Sequence, residues 1–314
     1  MSVFPNIVCI TILILILVGI WYILTIRNQN NLVNGKNKIE KPHQLYENGK
    51  NNNIIFVSKE YIDIIIDESN YFNRMNNIDL LVRDVNTIPS YIKIYKDGIT
   101  EFTKEEKNIL NTMCNSINKN IKNTKKLVNL QWKFAKQSSN IENGWPHTLG
   151  DVIILSSNFF NSSNQKITLL HEKIHIYQRI YPIETNKLFI EWKFKPAIKL
   201  ENIQLARNNP DINDFVYKKE DAKGNESKTL DKIIVQLYNS KNPTGIADSK
   251  PYIYNDNENP IPITQEDLNI SNIVSQYEHP NEIMATLIPQ IIINNFDEKT
   301  DFIEKTKLWI LGNL

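Results

Sequence analysis

Cysteine is nearly missing from this chain of 314 residues, which holds only Cys9 and Cys114. Two cysteines exclude a disulfide framework, a CxxC zinc ribbon and a redox pair, so any bound metal must be held by histidine and carboxylate. Glycine and proline are also few, at 9 and 13, which excludes a collagen-like or linker-dominated chain. Charge of one sign is lacking too. The 36 Lys+Arg stand against 35 Asp+Glu, for a net +1, and nothing in that balance gives the cationic footprint of a nucleic-acid binder. No nucleic-acid partner is expected. P-loop, G-x-G-x-x-G and G-x-S-x-G motifs are all absent, which leaves nucleotide, dinucleotide and serine-hydrolase chemistry without support. What is present is apolar matter: 41% hydrophobic and 10% aromatic residues, enough for one large domain or two small ones with a substantial core. Asn, Ile and Lys are frequent in a way that carries no catalytic meaning.

Ile7 to Ile26 is a continuous apolar or weakly polar run, with Trp21 and Tyr22 near its far end. At 1.5 Å per residue, about 20 residues span a hydrocarbon layer of about 30 Å. A cleaved signal would want a basic start, a shorter run and an A-x-A site, none of which occurs. The expected organisation is therefore a short tail (1–6), a single-pass transmembrane anchor (7–26), a flexible tether (27–53) and a folded domain (54–314). Arg27, Lys36, Lys38 and Lys41 follow the span and no Lys or Arg precedes it, so the positive-inside rule places the domain in the cytosol. Sequons at Asn161, Asn225 and Asn269 pull the other way, although an Asn-rich chain produces them by chance.

The domain reads as α+β with a mixed sheet. Ile54–Ile66 and Tyr91–Tyr95 have strand character. Thr103 with Glu106 forms a capping box for a helix reaching about Ile121. Period-two apolar residues predict a strand over Val128–Phe134, and an apolar run after the turn-forming Asn143 and Gly144, ended by Ser156 and Ser157, predicts another over Asp151–Leu155. Ile167, Leu170, Ile174 and Tyr177 predict a helix over 165–180, closed by Pro182. Residues 206–262 read as an irregular insertion with a short helix at 230–238, including a turn at Arg207–Asp211 in which Arg207 is a minor candidate clamp for a substrate carboxylate. A last helix opens at Pro280. No internal repeat is seen.

The chemistry concentrates at His171-Glu172-Lys173-Ile174-His175. On a helix, two imidazoles four apart share a face and can converge on one Zn²⁺ at about 2.0–2.1 Å. The carboxylate that follows the first of them can accept a proton from water polarised by that ion and pass it to a leaving nitrogen. Zn²⁺ is the expected cofactor, and a peptide or protein the expected substrate. Two histidines leave the ion one protein donor short.

This stretch resembles the active-site helix of the zincin metallopeptidases, over about ten residues, with Lys173 departing from the uncharged residue usual there. Metzincins would want Gly and His where Gln178 and Tyr181 stand, so that branch is excluded. His279-Pro280-Asn281-Glu282-Ile283-Met284-Ala285 is similar to the N-E-x-x-A helix of gluzincins, which implies Glu282 as third ligand and Ala285 as the small residue that lets the helices approach. Glu191 and Glu201 are competing donors, and 107 positions separate His175 from Glu282. His279 and Tyr277 are candidate hydrogen-bond donors to the oxyanion formed on attack. In zincins the strand before the metal helix pairs with extended substrate, which makes His147 a candidate substrate contact. His43 falls in the tether and is expected to be inert. The composition, the single anchor and these clusters also resemble uncharacterised metallopeptidase-like proteins of large DNA viruses, which implies a host or virion membrane. The rival expectation is a noncatalytic membrane or virion structural protein with a zincin-like fold, against which the retained Glu172 argues, since a structural site needs no proton acceptor.

Overall fold

A computed structural model describes residues 46–48, 53–220, 233–255 and 258–314. The expected anchor at 7–26 and His43 lie outside the described residues; among the described ones no helix is long and apolar enough to cross a membrane. The chain is α+β with a mixed sheet, as read from the sequence.

In chain order the strands are β1 (Tyr46–Asn48), β2 (Ile54–Val57), β3 (Ile99–Thr100), β4 (Trp132–Gln137), β5 (His147–Leu149), β6 (Val152–Leu155), β7 (Phe194–Lys199), β8 (Phe215–Lys219), β9 (Ile233–Tyr238), β10 (Ser249–Asn255) and β11 (Glu258–Pro262). The helices are α1 (Lys59–Glu68), α2 (Asn70–Asn73), α3 (Asn77–Leu81), α4 (Ile88–Asp97), α5 (Lys104–Asn120), α6 (Lys125–Asn129), α7 (Gln165–Ile180), α8 (Pro182–Glu191), α9 (Pro280–Asn294) and α10 (Asp301–Asn313).

The first sheet runs β1-β2-β4-β6-β5, with β3 paired to the end of β4. Its centre is parallel, β2 with β4 and β4 with β6, while β5 is an antiparallel edge strand. Strand alternation divides the core in two. Ile153 and Leu155 of β6 join Trp132 and Phe134 against the layer that holds α5, α7 and α9. Val152 and Ile154 turn the other way, toward Ile62 of α1 and Tyr91 and Tyr95 of α4. The β5–β6 hairpin has two loop residues, and Gly150 at the first of them has φ +59°, a value that suits glycine.

Several local expectations are corrected. The apolar density of Ile54–Ile66 hides a change of period: β2 stops at Val57, Ser58 accepts from the Tyr61 N–H, and Ile62, Ile65 and Ile66 are buried at helical spacing. Tyr91–Tyr95 is helical, because its two tyrosines lie four apart on one buried face of α4, whose N-cap is Thr87. Val128 belongs to α6, and the strand begins only at Trp132. Pro182 follows the end of α7 and serves as first residue of α8, where its missing N–H costs nothing.

The largest correction is at 206–262, which holds no helix at 230–238 among the described residues. Ile233–Tyr238 is a strand with both faces covered. Continuous burial removes the alternation that would have marked it. It sits in the middle of a second, antiparallel sheet ordered β11-β10-β9-β8-β7. One face of that sheet joins the main core through Phe194, Tyr217 and Ile234. Its other face has a core of its own around Val216, Ile233, Val235 and Leu237. The capping box at Thr103 and Glu106, α7 and α9 fall where the sequence puts them.

Candidate functional site

α7 and α9 pack against one another, and Ala285 is fully buried. Across that contact the Nε2 atoms of His171 and His175 lie 3.0 Å apart, and Glu282 Oε2 lies 3.4 Å from the first and 3.5 Å from the second. Three donors on a tetrahedral ion at about 2.0–2.1 Å are separated by about 3.3 Å. The triangle has the size such an ion requires. His175 and Glu282 are sealed, while the His171 side chain keeps 16% of its surface.

The outer contacts fix which atoms face inward. His175 Nδ1 lies 3.0 Å from Oε1 of Gln178, so it carries the proton and Nε2 presents its lone pair. Gln178 also accepts from Asn281 Nδ2 at 2.8 Å and donates to the Asn281 carbonyl at 2.8 Å, which ties α7 to α9 beside the triangle. Asn209 donates to Glu282 Oε1 at 2.7 Å and leaves Oε2 as the inward oxygen. That oxygen is buried with no hydrogen-bond partner, and so is Oε2 of Glu172. Orphaned buried acceptors are costly and ask for a proton or a cation. The chemistry of the donor set, two imidazoles and a carboxylate, suits zinc.

Electrostatics point the same way. Burial opposes charge on His175, yet Glu282 and Asp211 raise it to about 9. Burial likewise works against ionisation of Glu282, but His175 and His171 hold its carboxyl well below the ordinary range. The field among these atoms favours positive charge. Glu172 is pushed well above the ordinary range, by burial first and then by Asp211. A dication nearby reverses that logic.

Other expected site residues are not brought into this triangle. His147 is buried: its Nδ1–H donates to the Trp145 carbonyl at 2.9 Å, which leaves Nε2 to accept from the Tyr95 hydroxyl at 2.6 Å. No ring atom remains for a substrate. His279 is the N-cap of α9, where Nδ1 accepts from the Asn281 N–H at 3.1 Å and Nε2–H donates to the Phe215 carbonyl at 2.9 Å. Burial lowers it to about 4, so the ring is neutral and its one proton is committed to the Phe215 carbonyl rather than to an oxyanion. The Tyr277 hydroxyl donates to the Ile263 carbonyl at 3.0 Å. Glu191 is exposed at the end of α8, and Glu201 lies 3.5 Å from Lys199. The Arg207 guanidinium lies over the Trp145 ring at 5.4 Å.

The turn at Asn208–Asp211 gives the site residues that composition concealed. Asn209 orients Glu282, and a carboxylate oxygen of Asp211 groups with donor atoms of Glu172 and His175 within 4.8 Å of one another. Asp211 also accepts the Thr148 N–H at 2.7 Å and lies 3.6 Å from Arg179. A polar turn carries no mark of what it will touch. Gln178 was legible in principle, because it lies three residues after His175 on the same helix face.

No protein family matches the chain, and comparisons with curated proteins and with solved structures return no match.

Proposed function

We propose that this protein is a zinc-dependent peptidase of zincin-like, gluzincin type, held at a membrane by residues 7–26. The observation that carries the reading is the convergence of His171 Nε2, His175 Nε2 and the partnerless Oε2 of Glu282 on a triangle sized for one ion. Zinc, when bound, would polarise a carbonyl and make water a stronger acid. His171, His175 and Glu282 would hold it. Glu172 follows His171 in the same helix turn, and its free Oε2 is the acceptor for a proton from water, which it returns to the leaving amine nitrogen. Gln178 and Asn209 keep the ligand atoms aimed. His147 and His279, with both ring nitrogens engaged, support the walls and move no proton.

A second reading, a noncatalytic protein in which zinc holds α7 to α9, draws on the near-complete burial of the site. The full-length chain in detergent separates the two. Metal analysis is expected to give one zinc per chain, and turnover of unstructured protein substrate is expected to fall at least about 1,000-fold in Glu172→Gln with zinc retained. Zinc at one equivalent with equal, negligible turnover in both proteins would favour the structural reading. No zinc in either would remove both.

A further inference from the structure

Edge strand β5 offers one outward-facing peptide group. Thr148 lies opposite Ile153 and gives its N–H to Asp211 rather than to β6, so by antiparallel alternation His147 and Leu149 are the residues that bond inward. Asp211 takes the Thr148 hydroxyl as well. At the same outward edge, Arg179 Nη2 lies 3.5 Å from the Thr148 carbonyl. Both groups that a guest strand would use are therefore engaged by side chains of this chain.

The same turn reaches the reacting centre. One carboxylate oxygen of Asp211 shares a cluster with donor atoms of Glu172 and His175, all three residues being buried. Asp211 is thus a near neighbour of both Glu172 and His175. Two guanidinium groups hold the turn there. Arg74 donates to the carbonyls of Asn209 at 3.1 Å and Asn213 at 2.8 Å, and Arg179 donates to that of Pro210 at 2.8 Å.

We propose that the Asn209–Asp211 turn occupies the place of the substrate strand, so that the resting fold is closed and opens when Asp211 leaves Thr148. What is shut out, an extended peptide, rests on the peptidase reading above. A small molecule that reaches the ion past His171 should be indifferent to the turn. A peptide that must lie along β5 should not be.

The test uses the zinc-loaded full-length chain with two probes, acetohydroxamate and a tripeptide hydroxamate, on wild type, Asp211→Ala and the isosteric Asp211→Asn. Expected is one equivalent of zinc in all three; acetohydroxamate registers any change at the ion that the loss of the Asp211 charge brings, and serves as the reference for the tripeptide. The ratio of tripeptide to acetohydroxamate affinity should be at least about ten-fold higher in Asp211→Ala than in wild type, with Asp211→Asn intermediate. The Thr148 amide should exchange slowly in unliganded wild type, faster in Asp211→Ala, and slowly again once the peptide is bound there. An equal ratio across the three proteins, with zinc and acetohydroxamate bound, would overturn the occlusion and leave the peptidase reading standing. Failure of wild type to bind zinc or acetohydroxamate strikes the metal reading, and the occlusion falls with it. If Asp211→Ala does not fold, Asp211→Asn decides by the same comparison.

Discussion

Asn209 and Glu282 are joined by one hydrogen bond of 2.7 Å, and it determines which oxygen of the carboxylate faces the two histidines. Such orienting partners are worth about 10- to 100-fold in metal affinity. Asn209→Ala is therefore expected to weaken zinc binding within that range, measured by competition titration against a chromogenic chelator, while the circular-dichroism spectrum stays unchanged. Unchanged affinity would mean that the amide does not aim the ligand.

Removing the anionic donor itself should cost more. Glu282→Gln preserves shape but not charge, and its loss of zinc affinity is expected to exceed the roughly 100-fold reached by an orienting partner. In the metal-free protein the same change removes the principal attraction on the proton of His175, so the titration of that imidazole, followed by NMR, should move down from about 9. A titration that stays in place would assign the cationic field to Asp211 instead.

Acid stability should be governed by a carboxylate outside the candidate metal triangle. Glu142 is buried and accepts from the Tyr71 hydroxyl at 2.5 Å and from the Arg83 guanidinium at 2.8 and 2.9 Å. Burial raises its pKa, yet Arg83 wins and lowers it from 4.5 to about 2. A carboxyl depressed on folding stabilises the fold above its unfolded pKa and loses that contribution as pH falls through the folded one. The unfolding free energy from urea titration should decline as pH falls from about 4.5 toward 2, by up to roughly 3 kcal/mol. In Glu142→Gln that decline should flatten, on a protein already less stable at neutral pH. An equally steep decline in the variant would place the acid sensitivity elsewhere.

Lys173 gives the opposite sign. Its ammonium is fully buried, bonded to the Leu130 carbonyl at 2.6 Å and set 4.0 Å from the Trp132 ring, and burial lowers its pKa to about 7. An amine depressed on folding destabilises the fold below its unfolded pKa, increasingly so down to the folded one. Wild-type stability should therefore rise between about pH 7 and 10, and Lys173→Met should be more stable at pH 7 by about 1–3 kcal/mol. A less stable variant would show that the carbonyl and ring contacts outweigh the cost of burying the charge.

The parts of this fold that were legible are those that local chemistry specifies. Thr103 and Glu106 announced a helix start, and the spacing of Leu170, Ile174 and Tyr177 announced α7, because caps and helical stripes are written within a few residues. The pairing of the His171–His175 turn with Glu282 came from resemblance, and the distance between them in sequence gave no physical warning of it. The strand at Ile233–Tyr238 was illegible because burial on both faces erases alternation. Asn209 and Asp211 were illegible for another reason. A turn rich in Asn, Pro and Asp looks the same whether it meets solvent or closes over a cavity.

The donors His175 and Glu282 are separated by 107 positions, and the whole second sheet lies between them. An ion bridging them would work as a clasp on a very large ring, whose closure costs about 4 kcal/mol of configurational freedom that folding must supply before the ion can bind. Loading with metal would therefore stabilise the native state alone, since unfolding scatters the donors. Stripping it would lower the melting transition of a domain whose second sheet shares its core with the first.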